Sequence, residues 1–177
     1  DAEAAIRLDG IADAYLVHNR RIHIRTDDSI VRAMSGEPLM IRRSRGFVPR
    51  GVVLPQEQPS VLAVGAELKN TICVSRGDRA YLSQHIGDLK NQDVVDSLHQ
   101  TITHLQEILD VQPKIVAHDL HPDYFSTSVA NSLGDMKKVA VQHHHAHLAS
   151  CMADNGVEGE TIGVIFDGLG YGSDGHL

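Results

Sequence analysis

The sequence contains no apolar run close to the roughly 18 residues that a membrane-spanning helix requires, so no transmembrane segment is predicted. Its start, Asp1-Ala2-Glu3, has neither an initiator methionine nor the basic and apolar regions of a signal peptide, and we expect the sequence to be part of a longer chain. The two cysteines, Cys73 and Cys151, lie far apart and form no CxxC pair. Free thiols in a reducing cytoplasm are therefore expected.

Charge is distributed unevenly along the 177 residues. The first 51 residues carry nine Arg against seven Asp and Glu, a net of +2, whereas the remainder carries seven Lys and Arg against sixteen Asp and Glu, a net of −9. No continuous basic stripe suited to a long nucleic acid is present, so the locally basic first part favours a phosphate or nucleotide ligand. The candidate anion-binding residues in it are Arg25, Ser29, Arg42, Arg43 and Arg45. A solvated strand face is the alternative.

Turn residues and hydrophobic alternation divide the first third of the chain into short elements. Residues 2–11 are typical of the end of a helix, and the turn at Ser35-Gly36 predicts a hairpin. The predicted strands cover residues 14–17, 22–25, 30–34 and 39–43. Residues 46–59 contain three prolines and little periodicity, so a linker and a domain boundary are predicted there.

Beyond this linker, predicted strands and helices alternate regularly. A second hairpin is predicted around Arg76-Gly77-Asp78, and Asn91 is placed to cap a helix whose apolar positions repeat every 3.6 residues. Gly156 is placed to end the last helix. The predicted strands are 61–64, 71–75, 79–83, 114–117, 138–141 and 161–166, and the later helices are 124–133 and 144–154.

The order of these elements, β-β-β-α-β-α-β, predicts an α/β fold. Three antiparallel strands followed by αβ units are typical of one ribonuclease-H-like, actin-type ATPase lobe. In that arrangement the predicted buried strand 161–166 begins a second lobe.

Four of the twelve histidines lie in one short run, residues 143–147. On a helix His143 and His147 share one face, with Cβ atoms about 5–6 Å apart, so their neutral imidazoles can bind one borderline metal ion. The spacing matches a metalloprotease HExxH helix, but His144 replaces the glutamate, so peptide hydrolysis by that route lacks its base. A structural or surface role for the pair is the alternative, and His145 points elsewhere on the helix.

A glycine-rich corner follows the last predicted strand. Gly168, Gly170 and Gly172 would let backbone N–H groups approach phosphate oxygens, and the carboxylate of Asp167 at the strand end can hold a metal or a water. A tight turn with structural glycines is the alternative.

Two other loops contain candidate site residues. Lys69 and Thr71 could face a phosphate across a cleft from Asp167, although an ordinary solvated turn explains them as well. His121 and Asp123 lie just past the C-terminal end of a predicted strand, where open α/β sheets place ligand sites, and capping or turn formation is their alternative. We take Asp167, His121 and Lys69 as the candidate catalytic residues.

Taken together, these motifs resemble one family, the nickel–iron hydrogenase maturation carbamoyltransferases called HypF. The matching strings span nearly the whole chain: HNR at 18–20, RTDDSIVR at 25–32, IRRSRG at 41–46, AVGAELKNT at 63–71, QHIGDL at 84–89, DLHPDY at 119–124, VQHHHAH at 141–147 and FDG at 166–168. QHIGDL, DLHPDY and VQHHHAH are specific to that family. Arg21 departs from it, because proline is common there, but only a turn is affected.

The resemblance implies a domain organisation and an activity. Residues 1–50 would be the C-terminal part of a YrdC-like adenylation domain, 51–60 a linker, and 61–177 the first lobe and the start of the second lobe of the carbamoyltransfer domain. Members convert carbamoyl phosphate and ATP to carbamoyl-adenylate and pass the carbamoyl group to the C-terminal cysteine of a partner protein, HypE. A cytoplasmic location with no membrane or nucleic-acid partner is expected.

The resemblance also implies roles for individual residues. His143 and His147 would bind a zinc or iron ion, completed by an aspartate beyond Leu177. Asp167 and the glycines after it would contact the nucleotide or carbamoyl-adenylate. The adenylation pocket would be lined by Ser29 with Arg42 and Arg43.

Two other functions stay open. A transferase of the tRNA threonylcarbamoyladenosine type shares the lobe, but the YrdC-like tail and DLHPDY on one chain argue against it. A non-catalytic metal- or nucleotide-binding module describes the segment by itself. We expect that segment to be inactive alone, because a two-lobed cleft cannot close with one lobe.

Overall fold

The computed structural model describes residues 2–176, which form an α/β arrangement of two sheets and four helices. A two-stranded antiparallel ribbon consists of β1 (Ile30–Met34) and β2 (Glu37–Arg42). The strands of the larger sheet are β3 (Val52–Gln58), β4 (Val61–Ala63), β5 (Cys73–Leu82), β6 (Ile115–Asp119) and β7 (Lys137–Val141). The helices are α1 (Ala2–Arg7), α2 (Gln92–Leu109), α3 (Phe125–Ser132) and α4 (His143–Asn155).

The larger sheet is mixed, with the strand order β3-β5-β4-β6-β7. Strand β5 runs antiparallel to both β3 and β4, whereas β4, β6 and β7 are parallel to one another. Parallel neighbours need crossover connections, and α2 and α3 provide them. The C-terminal ends of three strands therefore meet at one edge of the sheet.

The hydrophobic core lies between the middle of this sheet and the two crossover helices. Asn91 caps α2, since its side chain accepts a hydrogen bond from the Asp93 N–H at 2.8 Å. The apolar face of the helix then packs against the sheet, as its 3.6-residue repeat predicts. The buried apolar residues are Leu62, Val64, Ile72, Val74, Ile86, Leu89, Leu98, Ile102, Leu105, Leu109, Val116, Val129 and Ala130.

The α/β fold class and several local predictions are confirmed. The ribbon turns at Ser35 and Gly36, both with positive φ, which suits the right-handed twist of a hairpin. Gly156, with φ of 62°, follows the end of α4 in the left-handed conformation. No helix in the described part of the chain is long and apolar enough to cross a membrane.

The predicted second hairpin and the predicted linker are wrong in their local structure. Residues 73–82 form one continuous strand, because its start pairs with β4 and its end with β3. Gly77 lies at an irregularity opposite Gln58 rather than in a turn. Residues 52–58 form the edge strand β3, a position that tolerates Pro55. The element order β-β-β-α-β-α-β still holds, and the domain division stays a prediction.

Three further predicted strands are absent from the described residues. Residues 14–17 and 22–25 pair with no neighbouring strand; instead Arg25 donates a side-chain hydrogen bond to the Ile86 carbonyl at 3.1 Å. Residues 161–166 were expected to be buried, but Ile162 is 93% and Phe166 99% exposed. Without a partner strand the backbone of this run cannot join a ladder, and it lies along α4 instead.

The two cysteines differ in environment, and so should their reactivity. Burial raises the pKa of Cys73 to about 11, so on the order of one molecule in a thousand carries a Cys73 thiolate at pH 8. Cys151 is exposed on α4. We expect iodoacetamide at pH 8 to label Cys151 while Cys73 stays unmodified until the protein unfolds, as followed by peptide mass spectrometry. Equal labelling rates in the native protein would contradict this, and a Cys151→Ser variant is the control.

Candidate metal centre

The helix that carries the histidine run begins directly after β7. Gln142 is the N-cap of α4, and its side chain accepts a hydrogen bond from the His145 N–H at 2.7 Å. The first turn therefore starts at the sheet edge where the parallel strands end. His143 and His147 share one face of this helix, with ring centroids 4.8 Å apart, as predicted from their spacing.

The carboxylate of Asp167 lies between the two imidazoles. Its Oδ2 is 2.8 Å from His143 Nε2 and 3.2 Å from His147 Nε2. Its Oδ1 accepts a hydrogen bond from the Leu169 N–H at 3.1 Å. That backbone hydrogen bond, assisted by the two imidazoles, lowers the pKa of Asp167, so the group is a carboxylate at neutral pH.

These three side chains form a set that fits a metal ion. One donor atom from each of His143, His147 and Asp167 lies within 4.8 Å of the others. Metal–ligand bonds of about 2.0–2.2 Å place the ligands of a tetrahedral ion roughly 3.4 Å apart, so small adjustments are enough. Two imidazoles and a carboxylate suit zinc or iron and leave a coordination position open. The resemblance implied an aspartate beyond Leu177; within the described residues, Asp167 is the carboxylate that meets both rings.

His144 and Gly170 hold the glycine-rich corner against α4. His144 Nε2 lies 2.9 Å from the Asp167 carbonyl oxygen. A Cβ at Gly170 would overlap the His144 imidazole, whereas one at Gly168 would meet nothing within 4 Å. The Gly172 N–H donates to the His176 carbonyl at 2.7 Å. The close approach at Gly170 is thus made to a side chain, and phosphate binding by the three glycines stays a prediction.

Asp119 at the end of β6 is a site residue that the sequence analysis missed. Its Oδ2 lies 2.5 Å from His143 Nδ1, and its Oδ1 accepts a hydrogen bond from the His121 N–H at 2.9 Å. Asp119 pairs with Val141 in the parallel register, which brings it beside the start of α4. A carboxylate at a strand end was the available signal.

A cleft of about 510 Å³ opens beside the centre, at the edge where the parallel strands end. It is bounded by β4, β6, β7 and the face of α4 that carries His143 and His147. The polar groups on its wall include Thr71, His118, Asp119, His143 and His147. Open α/β sheets bind ligands at this edge.

His121 lies near the centre but is held by aromatic contacts. Its ring stacks on Tyr124 with centroids 4.1 Å apart and lies 5.1 Å from the ring of Tyr171. Burial, and then the carboxylates around it, raise the pKa of Tyr124. One of those carboxylates, the buried Glu67, accepts a hydrogen bond from the Phe125 N–H at 2.9 Å at the start of α3. A catalytic role for His121 stays a prediction.

Lys69 does not line this cleft, whereas Thr71 does. Burial, followed by the positive charges of Arg42, Arg25 and Lys69, lowers the pKa of His85. Lys69 thus adds to the positive charge around His85, and its predicted role opposite Asp167 stays a prediction.

The predicted anion-binding residues near the ribbon form structural hydrogen bonds. Ser29 donates to the Arg45 carbonyl at 2.9 Å and accepts from the Ser44 N–H at 2.8 Å. Arg43 donates to the Arg50 carbonyl at 2.8 Å. These bonds fix the chain after β2. A role for Ser29, Arg42 and Arg43 in adenylation stays a prediction.

Comparison with known proteins connects this geometry to a family. The HypF Kae1-like domain family matches residues 56–154, more than half of the chain. The chain belongs to the HypF family. It is 51% identical over 180 residues to carbamoyltransferase HypF2 of Cupriavidus necator, covering 98% of this chain and 22% of that protein. It is 42% identical over 177 residues to carbamoyltransferase HypF of Synechocystis, covering 99% and 23%.

Solved HypF structures share the fold. Full-length HypF in its phosphate- and nucleotide-bound form superposes with a TM-score of 0.91 at 44% identity, covering 98% of this chain and 28% of that one. HypF of T. kodakarensis superposes with a TM-score of 0.89 at 41% identity, covering 99% and 23%. The chain thus spans between 22% and 28% of the length of these relatives.

Proposed function

We propose that this chain is part of a hydrogenase maturation carbamoyltransferase and that its residues 61–177 belong to the carbamoyl-transferring domain. The full-length enzyme would convert carbamoyl phosphate and ATP to carbamoyl-adenylate in the cytoplasm and transfer the carbamoyl group to the C-terminal cysteine of HypE. The observation that carries the proposal is the Asp167 carboxylate shared by His143 and His147 beside a cleft of about 510 Å³. Membership of the HypF family supports this acceptor over a tRNA.

The side chains of the centre divide into a binding set and a cleft wall. His143, His147 and Asp167 would hold a zinc or iron ion, which would act as a Lewis acid toward the carbamoyl carbonyl or a phosphate oxygen. Thr71 would orient the adenylate in the cleft, and the backbone N–H of Gly168 would face its phosphate. The helix positions the two imidazoles before substrate arrives, so little reorganisation is needed.

A His147→Ala variant of the full-length enzyme tests the proposal. Pyrophosphate exchange that depends on ATP and carbamoyl phosphate should continue, because adenylation is assigned to the YrdC-like domain. Transfer to a peptide ending in the acceptor cysteine should fall by on the order of a hundredfold, because a ligand of the centre is lost. The matched control is His145→Ala, because His145 is exposed and lies on a different face of α4 from His143 and His147. Transfer at the wild-type rate by His147→Ala would refute the assignment.

A further inference from the structure

We infer that Asp119 is a positioning residue of this centre, whose carboxylate selects the tautomer of His143 that presents Nε2 to a metal ion. The inference rests on the proposed metal-dependent function of His143, His147 and Asp167. It gives a role to the DLHPDY motif, whose first residue is Asp119.

The position of Asp119 follows from strand pairing. It is the last residue of β6 and lies beside Val141, the last residue of β7, in the parallel register. Helix α4 begins two residues later, so the Asp119 side chain reaches the His143 ring. Only 8% of Asp119 is exposed, and water therefore competes little for its oxygens.

Both oxygens of Asp119 are engaged. Oδ1 accepts the His121 backbone N–H at 2.9 Å, which fixes the carboxylate plane. Oδ2 lies 2.5 Å from His143 Nδ1. On its other side, His143 Nε2 lies 2.8 Å from Asp167 Oδ2. The His143 ring is thus held between two carboxylates, one on each nitrogen.

A neutral imidazole has a single N–H, and only the other nitrogen can bind a metal ion. A carboxylate only accepts hydrogen bonds, so Asp119 draws the proton to Nδ1 and leaves the Nε2 lone pair directed at Asp167. Asp119 makes the shorter contact and is more deeply buried than Asp167, whose side chain is 28% exposed. Asp119, which draws the proton to Nδ1 and so favours metal binding, is therefore a stronger acceptor for the His143 proton than Asp167, which would draw it to Nε2.

Replacing Asp119 with asparagine separates this role from simple packing. Asparagine has the same shape but offers one acceptor and one donor. Its oxygen should stay on the His121 N–H, so its NH₂ group would face His143 Nδ1. The proton of His143 would then lie on Nε2, where it blocks the metal. Loss of such a partner typically weakens metal binding about 10–100-fold.

The experiment measures Zn²⁺ affinity of the metal-free, full-length protein by competition with a chelator. Asp119→Asn should bind Zn²⁺ about 10–100-fold more weakly than wild type. The matched control is Asp135→Asn, an exposed aspartate in the loop before β7 that belongs to no candidate site, which should bind like wild type. Wild-type affinity in Asp119→Asn would overturn the inference. Failure of the wild-type protein itself to bind Zn²⁺ or Fe²⁺ would instead refute the metal centre of the proposed function.

A second pair of variants covers the case in which Asp119→Asn perturbs the fold. In a His143→Ala background, Asp119→Asn should change Zn²⁺ affinity by less than about twofold, because Asp119 acts through a ring that is no longer present. If Asp119 served only to stabilise the strand end, the same substitution would weaken Zn²⁺ binding equally in both backgrounds. Equal losses would therefore overturn the inference.

Discussion

Asp167→Asn is expected to weaken metal binding by on the order of a hundredfold and to reduce carbamoyl transfer at least as much. Among residues 2–176, its Oδ2 is the carboxylate oxygen that meets both imidazoles, at 2.8 and 3.2 Å. Apparent binding free energies of about 10–16 kcal/mol for four-ligand zinc sites assign roughly 3 kcal/mol to each ligand, and about 3 kcal/mol corresponds to this loss. Metal content after dialysis against a chelator, together with transfer to an acceptor peptide, measures both effects.

Asp174→Asn is the matched control for this substitution. Asp174 lies in the same glycine-rich segment and is exposed, and its Oδ1 accepts a hydrogen bond from the His176 N–H at 3.2 Å. It should retain metal and activity. If Asp167→Asn also retained its metal, Asp167 would not be a ligand, and a carboxylate elsewhere in the full-length protein would have to complete the site.

Gly65→Ala is expected to destabilise the domain by about 2–5 kcal/mol. Gly65 has a φ of +70°, which costs a residue with a Cβ about 1–2 kcal/mol, and its Cβ would also overlap the Thr71 carbonyl oxygen. Overpacking of that kind costs about 1–3 kcal/mol more. Gly65 lies on the wall of the cleft, so the backbone movement that relieves this overlap should also narrow the cleft. Calorimetric unfolding of the full-length protein and hydrogen exchange at β4 and β5 measure the loss.

Gly77→Ala isolates the backbone contribution. Gly77 also has positive φ, +59°, but a Cβ there would meet nothing within 4 Å. Its substitution should cost only the conformational part, about 1–2 kcal/mol. Similar destabilisation by the two substitutions would show that the crowding at Thr71 is relieved without cost.

The elements predicted well are those specified by local chemistry. The 3.6-residue repeat and the Asn91 cap define α2, and two positive-φ residues define the ribbon turn. The face shared by His143 and His147 follows from helix geometry alone, so the pairing of their rings was predictable. None of these features depends on distant parts of the chain.

The errors arise where pairing partners decide the structure. Gly77 in a polar corner is typical of a hairpin turn, yet the antiparallel partners on either side keep residues 73–82 in one strand. The apolar run 161–166 has the pattern of a buried strand, but no described strand lies beside it. Periodicity describes one segment at a time and does not identify its neighbours.

The candidate site was predictable only where a local pattern specifies it. Asp167 was selected as a strand-end carboxylate able to hold a metal, and it does meet His143 and His147. Asp119 was passed over, because its contact with His143 depends on the register of β6 against β7, which no local pattern reveals. Lys69 was proposed to face a phosphate across the cleft from Asp167; Thr71 lines the cleft and Lys69 does not, and its role stays a prediction.

The two carboxylates that flank His143 have an electrostatic consequence. Asp119 and Asp167 together carry two formal negative charges next to the ring. These two charges would neutralise the charge of a divalent ion bound there. The electroneutral centre would then attract an anionic adenylate only weakly at long range. Recognition of that ligand would then depend on short-range backbone dipoles at the helix start and the glycine corner, and its affinity should change little with ionic strength.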